Sequence, residues 1–146
     1  MADVPCRISE NIEGELWTKF IWNCALNAIS ALGRVTYGEI LASEDARKLI
    51  EAAVYETLNV ARAKGIHPPG LEDPQAAIAG SLRIADQMRG TRSSTAQDLA
   101  RGKHTEIDSL NGYVSRLGAE LGVATPVNHT LYTLVKLYES GFPPKQ

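Results

Sequence analysis

Lys19, Asn23 and Asn27 recur every four residues, and Ser30 follows three later. A helix turns about 100° per residue, so these side chains fall within roughly 80° of one another on one face. An ammonium beside two amides suits a carbonyl that is about to gain charge. The ammonium favours a developing alkoxide and can hand it a proton. Two amides on one rigid helix fix the orientation of what they bind. Asparagine is a poor helix former. Two of them among Trp17, Phe20, Ile21, Trp22, Ala25, Leu26, Ile29 and Leu32 therefore point to a hydrogen-bonding task. A stripe that only meets solvent is the competing reading.

A second group of chemically able residues is Lys103-His104-Thr105-Glu106-Ile107-Asp108. It precedes Ile107, Leu110, Val114, Leu117 and Leu121 at helical spacing, which predicts one helix from about Thr105 to Leu121. On that wheel Glu106 flanks the apolar face and is expected to be a semi-buried carboxylate. Asp108 points the other way, as a solvated first-turn acid favoured by the helix dipole, and its removal is expected to do little to kinetics. The same first-turn role competes for Glu106. His104 is expected in an exposed loop. Ser93-Ser94 precedes a short helix, so one of the two is an N-cap, and the helix start is also a place for a carboxylate.

The elements that must position these groups are helical throughout. The first strong segment is Glu13 to Leu32, with Gly33 as its stop. Thr36 and Glu39 have capping-box spacing ahead of Tyr37 to Ala42. Ser43 caps a helix from Glu44 to Lys64, which Gly65 ends. Asp73-Pro74 opens the next, running to about Met88. A short helix reaches Arg101 before Gly102, and Thr125-Pro126 starts a last one that reaches Ser140. No stretch alternates like a strand for more than four residues. The expected class is all-α, with six to seven helices in an irregular bundle forming one domain over 1–146, and residues 142–146 as a frayed tail.

Composition narrows the functions. With 146 residues, 15 basic and 17 acidic side chains and a net charge of −2, no basic excess exists to neutralise phosphates, so a nucleic-acid partner is not expected. No apolar run has the length of a membrane span or of a signal peptide core, which argues against a membrane partner. Two cysteines, Cys6 and Cys24, fit a reducing compartment, and a cytoplasmic location is expected. His67, His104 and His129 stand too far apart for metal-ligand spacing, so no metal is expected. None of the 12 glycines forms a Gly-x-Gly pair, so no dinucleotide cradle is expected here.

Residues Glu15 to Asn27 resemble the opening helix of the C-terminal domain of ketopantoate reductase. Gly102 to Gly112 is similar to that domain's second signature, and Val123 to Asn128 to the turn after it. The likeness spans about Ile12 to Glu139, and the separate pieces are specific only in combination. It implies a helical substrate domain like the C-terminal domain of 6-phosphogluconate dehydrogenases. It implies that an N-terminal Rossmann domain, joined in cis or met in trans, supplies NADPH for reducing 2-dehydropantoate to pantoate. On this view residues 1–11 belong to an interdomain segment, and the chain alone is expected to bind no NADPH and to be inactive. By matching position, Lys19 would be the general acid. Asn23 and Asn27 would bind the substrate's hydroxyl and keto oxygens, Ser94 its carboxylate, and Glu106 its hydroxyl while orienting Lys19. Other 2-keto acids are alternative substrates. The alternative class is a non-enzymatic helical interaction module, and uncovered apolar surface favours a homodimer in either case.

Overall fold

The computed structural model describes residues 11–145; Cys6 and most of the proposed interdomain segment lie outside them. The described residues form seven α-helices: α1 (Ile12–Gly33), α2 (Tyr37–Ala42), α3 (Glu44–Ala63), α4 (Pro74–Gln87), α5 (Ser94–Ala100), α6 (Asn111–Leu121) and α7 (Pro126–Glu139). A 3-10 turn, Ile107–Ser109, precedes α6, and no strand occurs among the described residues.

The helix α1 is the axis of the bundle, packed against α3, α4, α5 and α7. Its buried Ile21, Ala25 and Ile29 join Ile50, Val54 and Leu58 of α3 in one apolar cluster. Trp17 and Cys24 lie in a second, with Val60, Val114 and Leu117. Ile21 is 0% exposed, so truncating it to alanine would cost about 2–5 kcal/mol.

Most helix starts follow local chemistry. Thr36 and Glu39 form both bonds of the capping box. Ser43 and Asp73 accept from the first turns of α3 and α4. Helix α7 differs, because Thr125 makes no side-chain cap. Its first turn is served by Glu56 of α3, whose carboxylate accepts from Val127 N (2.9 Å), Asn128 N (2.9 Å) and Asn128 Nδ2 (2.8 Å). Asn111 Nδ2 donates to Asn128 Oδ1 (3.0 Å) and to the Cys24 carbonyl (2.9 Å). One buried polar chain thus links α3, α7, α6 and α1.

The structure departs from the sequence expectations in three places. Thr105–Leu121 is not one helix: Leu110 leaves helical space at φ −108° and ψ −107°, and only residues 111–121 are α-helical. The cause is tertiary, since Thr105 and Asp108 bond to α7 rather than continuing the helix. The left-handed residue that ends α1 is Arg34 (φ 56°), one position beyond Gly33, with its N–H on the Ala31 carbonyl. The frayed tail is partly seated: Phe142 N donates to Glu139 O (2.8 Å), and its ring packs edge-on to His104 and Tyr138.

Candidate active site along the first helix

The polar stripe of α1 runs from solvent into the core. Lys19 is exposed, Asn23 half-buried, Asn27 7% exposed and Ser30 0% exposed. The stripe therefore does not simply face water. Its outer part opens into a cleft of about 360 Å³, where Lys19, Asn23 and Asn27 meet Tyr37 and an apolar wall of Trp22, Leu26, Ile84 and Met88. Tyr37 Oη donates to Asn27 Oδ1 at 3.4 Å, and Asn27 Nδ2 has no protein partner among the described residues. Burial raises the Tyr37 phenol above its ordinary value, so it stays a donor.

The buried end of the stripe is structural. Ser30 Oγ donates to Val35 O (2.7 Å) and accepts from Ser93 N (3.1 Å). Ser93 is the N-cap of α5, accepting from Ala96 N (3.0 Å) and donating to the Asn27 carbonyl (2.8 Å). Ser94 is the first helical residue and is exposed. The cap thus goes to Ser93, and Ser94 is left free for another task directly beside the bond to Asn27.

The two acids exchange the environments expected of them. Glu106 is exposed, and its carboxylate makes no hydrogen bond or ion pair among the described residues. Asp108 is half-buried, accepting from Tyr132 Oη (3.1 Å) and Lys136 Nζ (3.1 Å). The helical wheel fails here because the segment is a 3-10 turn, whose side chains do not follow α-helical spacing. His104 is also half-buried, with one ring nitrogen 2.7 Å from Pro143 O and the other 3.6 Å from Glu139.

Lys19, Asn23 and Asn27 are brought together in the cleft, whereas Ser94 does not line it; only its neighbour Ser93 bonds to the Asn27 carbonyl. Glu106 does not line the cleft. Its turn leads to Ser109, which forms one wall of a second hollow of about 370 Å³ with Leu16, Trp17, Phe20, Tyr113 and Arg116. Both hollows share α1 as a wall. Lys19, like Glu106, has no charged partner among the described residues. No group of three His, Cys, Asp or Glu is placed to hold a metal among the described residues. Periodicity missed Tyr37, Ile84 and Met88, because each reaches the cleft from another element.

Comparison with known proteins gives the family of the chain. The C-terminal family of ketopantoate reductase PanE/ApbA matches residues 11–139. The 2-dehydropantoate 2-reductase of Pyrobaculum aerophilum is 42% identical over 134 residues, which is 92% of this chain and 46% of the relative. The structure of a PanE/ApbA family ketopantoate reductase from Ralstonia eutropha JMP134 superposes with a TM-score of 0.85 at 44% identity, covering 94% of this chain and 45% of that one. D-mandelate dehydrogenase, in a ternary structure with NADH and anilino(oxo)acetate, gives 0.83 at 31% identity over 92% of this chain and 43% of that one. The chain thus spans less than half the length of these relatives. Among its described residues, no helix is long and apolar enough to cross a membrane.

Proposed function

This chain belongs to the PanE/ApbA ketopantoate reductase family through the C-terminal helical domain, and we propose that it is the substrate-holding half of an NADPH-dependent 2-keto-acid reductase. The observation that carries this reading is the cleft in which Lys19 stands unpaired beside Asn23 and Asn27. On this reading the hydride donor is held by a cofactor domain, joined or supplied separately, as the chain's span of less than half of its relatives' length would allow. The exposed Ile12 (60%) and Leu16 (64%) at the start of α1 offer that domain apolar surface.

A nicotinamide cofactor, held by the other domain, would supply the hydride; Lys19 gives its proton to the keto oxygen, so that the keto acid leaves as a 2-hydroxy acid. Before transfer the ammonium favours the growing alkoxide. Asn23 and Asn27 hydrogen-bond the substrate's keto and hydroxyl oxygens. Ser94, at the start of α5, takes the carboxylate. Glu106 stands outside the cleft and makes no ion pair with Lys19; on this reading it meets the substrate's hydroxyl once substrate is bound, and orients Lys19 only through that complex. The apolar wall of Ile84, Leu26 and Met88 fits a branched carbon skeleton, as in 2-dehydropantoate. The reductases among the relatives support that substrate, whereas the D-mandelate neighbour supports the broader 2-keto-acid class.

The test joins the chain to a cofactor domain of the family and assays 2-dehydropantoate with NADPH. Lys19→Ala should lower kcat by roughly 10²-fold or more. Glu106→Ala should chiefly raise KM. Full turnover in Lys19→Ala would overturn the assignment.

A further inference from the structure

The Glu106 carboxylate makes no hydrogen bond among the described residues, while the residues on either side of it, Thr105 and Asp108, are fastened to α7. On its N-terminal side, Thr105 N donates to Glu139 Oε1 (2.6 Å), the Thr105 hydroxyl donates to the same oxygen, and Ile107 N donates to Thr105 Oγ1 (3.2 Å). On its C-terminal side, Tyr132 Oη and Lys136 Nζ each reach an Asp108 oxygen at 3.1 Å. Arg116 donates to the Asp108 carbonyl (2.9 Å). Lys136 Nζ also lies 3.7 Å from Glu139 Oε2. Tyr132, Lys136 and Glu139 are spaced i, i+4, i+7 and so share one face of α7. That face grips the turn on both sides of Glu106.

The two grips differ in kind. Glu139 and Thr105 are both 2% exposed, which suits an anchor for the loop. The Asp108–Lys136 pair is open, with side chains 48% and 40% exposed, and such pairs add little to global stability. Together with Tyr132 it ties the 3-10 turn that follows Glu106 to α7.

We propose that Asp108, held by Lys136 and Tyr132, is a positioning residue that sets the direction in which the Glu106 carboxylate meets the substrate. This rests on the reading of Glu106 as a substrate-binding group. It runs against the expectation that removing Asp108 does little to kinetics.

A double-mutant cycle on the chain joined to its cofactor domain tests the proposal. Asp108→Ala should lower kcat/KM about tenfold, mostly through KM, with unfolding unchanged. Asp108→Asn, which keeps an acceptor for Tyr132, should recover part of that loss. In a Glu106→Ala background, Asp108→Ala should change kcat/KM less than twofold. Multiplying losses would mean a merely structural role and overturn the proposal. So would an unchanged kcat/KM in Asp108→Ala while Glu106→Ala is impaired, which leaves the site reading standing. An unimpaired Glu106→Ala instead overturns the reading of Glu106 and the proposal with it. In the chain alone, the Ser109 N–H, which donates to the Glu106 carbonyl (2.9 Å), should exchange at least tenfold faster in Asp108→Ala while α1 amides do not change. Unchanged exchange at Ser109 overturns the proposal without any assay.

Discussion

Ser93 Oγ donates a 2.8 Å hydrogen bond to the backbone carbonyl of Asn27, so the first turn of α5 is fastened to the stripe of α1. The same oxygen caps α5 through Ala96 N. Removing it breaks two links at once. Ser93→Ala should destabilise the protein by about 1–2 kcal/mol, the scale of a lost N-cap, read as a lower midpoint in urea. If Ser94 holds the substrate carboxylate as proposed, Ser93→Ala in the chain joined to a cofactor domain should also raise KM. A variant with wild-type stability would show that the bond to Asn27 is dispensable.

Glu56 is 8% exposed and accepts two backbone N–H groups of α7. In Glu56→Ala those donors lose their acceptor within the core. The expected cost is about 2–4 kcal/mol, seen as a Tm lower by about 5–15 °C. Glu56→Gln keeps one carbonyl acceptor and should cost less.

Burial alone would raise the Asp108 carboxyl. Hydrogen bonds from Lys136 and Tyr132, and the charges of Lys136 and Arg116, outweigh it and hold the carboxyl below its ordinary 3.8. A lowered carboxylate contributes stability above its unfolded value and loses it as pH falls through the folded one. Lys136 is raised above 10.5, first by the bond to Asp108, so its contribution is lost only as pH rises past that value. The Asp108–Lys136 pair should therefore be insensitive to pH across the neutral range. Carbon-13 titration of the Asp108 carboxyl should give a midpoint below 3.8, and Lys136→Met should move it up. A midpoint above 3.8 in the unmodified chain would contradict the pairing.

Cys24 is fully buried, and desolvation pushes its thiol well above 9.0. It should resist alkylation near neutral pH and react only after unfolding, since the thiolate is the reactive form. Peptide mass spectrometry after iodoacetamide treatment checks this. Rapid labelling of native Cys24 would mean that α1 opens from the core.

Local chemistry was legible in the sequence and distant chemistry was not. The box at Thr36 and Glu39 and the Asp73-Pro74 start rest on neighbours within three residues, so they read directly. The shared face of Lys19, Asn23 and Asn27 follows from helical period alone, but its gradient from solvent to core depends on what packs beside it. The Glu106 turn was misread because its partners, Tyr132, Lys136 and Glu139, lie 24 to 34 residues away. Apolar spacing from Ile107 onward resembled a helix, and nothing nearby recorded the pull of α7.

The capping of α7 by Glu56 also orders events in time. Its N–H partners lie 71 and 72 residues later in the chain. With no local cap, α7 gains a stable start only once α3 is in place. During synthesis α3 leaves the ribosome long before α7, so the acceptor waits for its donors. The face of α7 that holds Thr105 and Asp108 therefore depends on a helix start supplied from far back in the chain.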